Sequence, residues 1–170
     1  MSRPSRPSDP NIAHGYSRTF FATTRTAAGR SLFQTERMAN LLIDVLRTTM
    51  RSDGVNIHEF VVMPNHVHIL MTLPGDMSVE KSMQLIKGRF SFRAKKELGF
   101  SGEVWQRGFS DVRVADESSF ERHRLYIANN PVRAGLVELP EDFPFGSVYL
   151  KKRKTAGAEA RPLIGPVRHD

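Results

Sequence analysis

Apolar and polar positions change their spacing several times along the chain, and each change marks an element. Residues 16–25, YSRTFFATTR, alternate and are rich in aromatic and β-branched side chains, which predicts a strand. TAAGR is the turn after it. From Ser31 to about Met50 the apolar residues Met38, Leu41, Leu42, Val45 and Leu46 recur three and four positions apart. That is the spacing of one helical face, and Ser52-Asp53-Gly54 ends the helix. Residues 55–63 and 66–73 read as two strands joined by a tight turn at Pro64-Asn65, and Pro74-Gly75-Asp76 breaks the chain again. Ser78 caps a second long helix, with Val79, Met83, Ile86, Phe90, Ala94 and Leu98 as its inner stripe and Gly99 as its close. A fourth strand lies within 103–115, clearest at DVRV. A third helix covers 117–130, and Pro131 is expected to break it.

This order, β-α-β-β-α-β and then a helix, predicts an α+β fold. The split arrangement gives a ferredoxin-like, antiparallel, four-stranded sheet with the two long helices on one face. The other face is left for the third helix. The polar, proline-rich residues 1–14 are expected to be disordered. Residues 15–150 form one domain, and 151–170, poor in apolar residues, form a flexible basic tail.

The stretch 61–74, VVMPNHVHILMTLP, carries an anomaly. It is an apolar strand, yet it holds two histidines one residue apart. Side chains alternate across a strand, so His66 and His68 share a face, and Val67 and Ile69 take the other. Two imidazoles about 7 Å apart can converge on one cation. Two histidines satisfied by their neighbours are the plain alternative. The third helix supplies further candidates, Tyr126 and Asn130, four residues apart and therefore on one helical face. If that face covers the open side of the sheet, a phenol and an amide oxygen arrive beside the histidines. Each also has an ordinary explanation, core packing for Tyr126 and a helix stop before proline for Asn130.

Composition narrows the chemistry. The 170 residues are 39% hydrophobic and 25% charged, include no cysteine, and carry a net charge of +7. Disulfides and thiolate metal sites are excluded, no run is long enough to span a membrane, and a cytoplasmic protein is the simplest expectation. The positive charge is clustered. Residues 79–99 hold six basic against two acidic side chains, and so do residues 151–170. A polyanionic partner such as nucleic acid fits that pattern. A histidine pair, a tyrosine, an amide and a basic surface together fit phosphodiester transesterification. A divalent cation neutralises charge at the phosphate, tyrosine attacks phosphorus, and a 3′-hydroxyl leaves. A silent single-strand-binding module is the alternative, since split β-α-β sheets often bind single strands.

MPNHVHIL, WQRGFSD and YIANNPVRAGLVE, in this order and spacing, resemble the REP-associated tyrosine transposases, relatives of the single-tyrosine HUH transposases. HUH denotes histidine, hydrophobic residue, histidine, here His66, Val67 and His68. The resemblance runs from about Tyr16 to Glu138. It implies a tyrosine helix over the histidine strand, Tyr126 as nucleophile, His66 and His68 as metal ligands, and Mg²⁺ or Mn²⁺ as the metal. Asn130 matches the third ligand, with Asn129 beside it. The implied partner is single-stranded DNA with REP-type hairpins, cleaved through a 5′-phosphotyrosine, by a monomer or a dimer. Asp111 is followed by Val112, where family members often have a basic residue. Candidate DNA contacts are Arg18, Arg25, Lys87, Arg89 and Arg93, then Trp105, Gln106 and Arg107, and the run Lys151, Lys152, Arg153 and Lys154. Trp105 is expected to be partly buried.

Overall fold

The computed structural model describes residues 17–159. The proline-rich extension, Tyr16 and residues 160–170 lie outside the described residues. Four strands, β1 (Arg18–Arg25), β2 (Asn56–Met63), β3 (His66–Leu73) and β4 (Ser110–Val114), form one sheet in the order β2-β3-β1-β4. Every neighbouring pair is antiparallel. Helices α1 (Glu36–Asp53) and α2 (Val79–Leu98) pack on one face, and α3 (Glu117–Arg133) lies on the other. This is the α+β split sheet that the order of elements predicts.

The alternation of the strands divides the core in two. Phe20, Ala22, Val67, Ile69, Met71 and Leu73 face α1 and α2, where they meet Leu42, Leu46, Met83, Ile86 and Phe90. Leu70, Val61, Met63 and Val114 face α3 and pack with Ile127 and Phe143. The caps follow the sequence signals. Ser78 Oγ accepts from the Lys81 amide, and Gly54 and Gly99 end their helices in the left-handed conformation, with φ of 68° and 65°. That conformation strains any residue with a Cβ.

Three boundaries differ from expectation. First, α1 begins at Glu36 rather than Ser31. Residues Leu32–Gln34 form a separate 3-10 turn that buries Phe33, whose amide donates to the Pro64 carbonyl at 2.9 Å. The segment is therefore tied to the β2–β3 turn as well as packed against α1. Second, Pro131 does not end α3, which runs on to Arg133. The proline stands in the last turn, so it forfeits only one helical donor, and its buried ring packs towards β2. Third, Lys151 does not begin a flexible tail. It lies inside a fourth helix, α4 (Ser147–Glu159). This helix has no apolar stripe. It is fastened by polar contacts at its first turns, which leave no periodic signal. Among the described residues no helix is long and apolar enough to cross a membrane.

Candidate active site

β3 places His66 and His68 on the face that α3 covers. Across the strand gaps, His68 stands opposite Thr23 of β1 and Val61 of β2, and His66 opposite Arg25 and Met63. The two imidazole centroids lie 4.8 Å apart. Each Nδ1 has a fixed partner, Asn65 Oδ1 at 2.8 Å for His66 and Thr23 Oγ1 at 2.7 Å for His68. With Nδ1–H donating to those oxygens, each ring keeps its Nε2 lone pair for another ligand. Burial lowers the pKa of both histidines, and the Arg25 cation adds to the effect. His68 is pushed down to about 3, with the neighbouring His66 contributing after burial. His68 is therefore neutral near pH 7, the state a metal ligand requires.

The third helix delivers its two candidates to the same spot. The Tyr126 ring lies 5.4 Å from that of His68 and 5.8 Å from that of Phe21, edge-on to both. Phe21 in turn stacks on His68 at 5.3 Å. Tyr126 is 39% exposed, so its hydroxyl-bearing ring is reachable by a polymer lying on this face. Asn130, one turn on, lies near enough to His66 to offset part of the lowering of its pKa. The Asn129 amide instead donates back to the Leu125 carbonyl at 3.0 Å. Of the two asparagines, Asn130 is the one at the histidines.

The donor types gathered here are ones that divalent cations accept. His66, His68 and Asn130 offer two imidazole nitrogens and an amide oxygen. Among the described residues no cluster of three His, Cys, Asp or Glu side chains is built to hold a metal. The donor group of two imidazoles and an amide is nitrogen-rich and uncharged. Mg²⁺ prefers oxygen, and imidazole suits Mn²⁺ better. Phosphate oxygens and water would fill the remaining positions.

The basic candidates divide into two groups. Arg89 pairs with Asp53, and Arg93 with Asp44 at 2.6 Å and Glu97 at 2.5 Å. The Arg89–Asp53 and Arg93–Asp44 pairs staple α2 to α1 on the side of the sheet away from the histidines, whereas Arg93–Glu97 lies within α2. Lys87 is also committed, donating to the Gln106 and Gly108 carbonyls at 3.1 and 2.8 Å. Arg18 donates to Met77 O at 2.8 Å. Lys151 pairs with Glu59 at 2.7 Å, and Arg153 lies over the Tyr149 ring at 5.8 Å. Arg25, Gln106, Arg107, Lys152 and Lys154 are exposed. The first three share the histidine end of the sheet, because the Gln106 amide donates to Arg25 O at 2.8 Å. Trp105 is partly buried, as expected. It packs on Phe33 and Phe90, and its indole N–H donates to Lys87 O at 3.1 Å. It braces the loop that carries Gln106 and Arg107. Arg89→Ala is therefore expected to lower stability by about 1 kcal/mol, through loss of a half-buried ion pair, and to leave DNA affinity unchanged. Urea denaturation beside a binding titration checks this.

Sequence reasoning missed Thr23, Asn65, Phe21 and Arg133. The Arg133 guanidinium lies over the Tyr126 ring at 5.1 Å. Its signal was present, since positions 126, 130 and 133 share one helical face. Thr23 and Phe21 have none, because their closeness to His68 depends on β1 pairing with β3 in this register.

A split sheet with a tyrosine helix laid over a His-hydrophobic-His strand is the arrangement of the single-tyrosine HUH class. The model of the IS200-like transposases matches residues 16–130, more than half of the chain, and the chain belongs to that family. It is 27% identical over 132 residues to a REP-associated tyrosine transposase of Escherichia coli K12, covering 77% of this chain and 76% of that one. It is 29% identical over 98 residues to a Haemophilus influenzae protein named as a candidate REP-associated tyrosine transposase. That match covers 52% of this chain and 56% of the relative, so the chain spans little more than half the relative's length. A solved REP-associated tyrosine transposase bound to a REP hairpin superposes with a TM-score of 0.70 at 24% identity, over 100% of this chain and 95% of the other. At that identity the likeness speaks for the fold.

Proposed function

We propose that the protein is a metal-dependent single-strand DNA endonuclease and strand transferase that acts in the cytoplasm on REP-type hairpins through a 5′-phosphotyrosine. The observation that carries this reading is the convergence of Tyr126, Asn130, His66 and His68 on one side of the sheet, with the Tyr126 and His68 rings 5.4 Å apart. His66, His68 and Asn130 would hold Mg²⁺ or Mn²⁺, which supplies charge neutralisation at the scissile phosphate. Tyr126 Oη attacks phosphorus. A bond from that oxygen to phosphorus forms, the bond to the 3′-oxygen breaks, and the phenolic proton is replaced on the departing 3′-oxygen through water. Tyrosine is a weak nucleophile at its ordinary pKa near 10. Arg133 over the ring favours the developing phenolate. Because the phosphodiester survives as a tyrosyl ester, an incoming hydroxyl can reverse the step without a nucleotide cofactor.

DNA contacts are assigned to Arg25, Gln106 and Arg107 beside the site, and to Lys152 and Lys154 on α4. The partner is inferred from the family and from the charge. Incubation with a single-stranded REP hairpin and Mn²⁺, followed by a denaturing gel, tests the reading. A protein–DNA adduct supports it, and hairpin binding without an adduct would leave only a binding module. In the same system, Lys152→Ala with Lys154→Ala should flatten the log–log salt dependence of binding by about 0.7 per lysine. A salt series on both proteins reads this directly.

A further inference from the structure

The helix that carries the tyrosine is held at few points. Only Ile127 and Pro131 of α3 are buried. Each is the immediate neighbour of a site residue, Ile127 of Tyr126 and Pro131 of Asn130. Both border a small crevice whose other walls include Val61, Phe143, Gly146 and Ser147. The 143–147 segment therefore forms one wall of the seat on which the tyrosine helix rests.

That segment is fastened to the edge strand β2. The Val62 amide donates to Phe145 O at 2.8 Å, and Gly146 bridges Val61. Ser147 Oγ accepts from the Phe60 amide at 3.0 Å, lies 3.1 Å from Phe60 O, and bonds a Glu59 carboxylate oxygen. The other Glu59 oxygen accepts from Lys151 at 2.7 Å, and Lys151 also reaches His58 O at 2.8 Å. Glu59 and Ser147 are each 5% exposed.

The β2 register is what puts a carboxylate there. Ile57 pairs with Met71 and Glu59 with Leu70, so the strand bulges at His58. In a regular strand Glu59 would share the face of Ile57, towards α1 and α2. The bulge turns it to the α3 side, as bulges re-aim side chains elsewhere. The His58 ring meets Phe120 edge-on at 5.1 Å, so the bulge also steadies the start of α3.

We infer that the strap 143–151, latched to β2 by Glu59 and Ser147, is the positioning element of the tyrosine helix, and that these two are positioning residues for strand cleavage. The activity arm of this inference rests on the strand-transfer reading, and its structural arm does not. Lys151 remains 60% exposed, so its ion pair is screened by water. The Ser147 hydroxyl is the stronger fastening, because its loss removes the partner of one buried carboxylate oxygen and of the Phe60 amide at once. Glu59→Gln keeps an acceptor for Ser147 and acts as the conservative counterpart.

The test compares wild type, Ser147→Ala and Glu59→Gln by amide hydrogen exchange, hairpin affinity and single-turnover cleavage. Ser147→Ala is expected to speed exchange across residues 120–133 about tenfold, the scale of stranding one buried polar group. Exchange in α1 should stay unchanged. Single-turnover cleavage should fall by a similar factor while hairpin affinity holds within twofold, and Glu59→Gln should show the same pattern more weakly. Unchanged exchange in 120–133 would overturn the inference, as would an equal rise in α1. Faster exchange with undiminished cleavage would overturn the positioning role. If wild type does not cleave at all, the strand-transfer reading falls, and the exchange comparison alone decides whether the strap holds α3.

Discussion

Tyr126→Phe is expected to abolish the covalent adduct while hairpin binding stays within about twofold of wild type. The substitution removes one oxygen and keeps the ring. The edge contacts to Phe21 and His68 persist, and so does the Arg133 guanidinium above the ring face. Tyr126 is 39% exposed, so the stability change should fall within about 0.5 kcal/mol. Chemistry, by contrast, loses its nucleophile, and removing a nucleophile from an assembled site costs upward of about 10⁴-fold. Neither described alternative is placed to substitute, since Tyr149 belongs to α4 and Thr23 is bonded to His68. The check is a gel of trapped adduct beside a binding titration. Adduct retained in the Phe variant would contradict the assignment.

His68→Ala is expected to abolish cleavage as well, for a different reason and with a different signature. It removes a metal ligand, and it also empties a buried position. The imidazole is stacked on Phe21, sits against Tyr126 and bonds Thr23. Its removal leaves a cavity under the tyrosine and a threonine hydroxyl without its partner, a loss of about 2–3 kcal/mol. His66 is less deeply placed, so His66→Ala should lose activity with a smaller stability cost. Excess Mn²⁺ should restore neither variant fully. Thermal melts separate the two costs, and paramagnetic broadening by Mn²⁺ reports the site. Broadening that spares His66, His68 and Asn130 would contradict the ligand set.

Much of the frame is legible because it rests on local rules. The 3.6-residue stripes of α1 and α2, the glycines that end them, and the Pro64-Asn65 turn each act within a few residues. The histidine pair and the Tyr126–Asn130 spacing are equally local, which is why the site can be proposed before any fold is seen. What is hidden depends on partners far away in sequence. The engagement of Thr23 with His68 needs the β1–β3 register, and Glu59 reaches the α3 side only through the bulge at His58. The ion pairs of the α2 basic residues are hidden for a similar reason. Lys and Arg read alike whether they meet phosphate or, as Arg89 and Arg93 do, the carboxylates of a neighbouring helix. Helix α4 escapes notice because polar contacts rather than an apolar stripe secure it.

The most direct measurement is the identity of the residue that becomes attached to DNA. Adduct formed with a single-stranded REP hairpin and Mn²⁺ is digested with protease and nuclease, and the modified peptide is sequenced by tandem mass spectrometry. The account predicts a nucleotide joined through its 5′-phosphate to Tyr126, within the peptide Leu125–Arg133. Attachment at Tyr149 or at any serine or threonine, or a nucleotide joined through its 3′-phosphate, would contradict it.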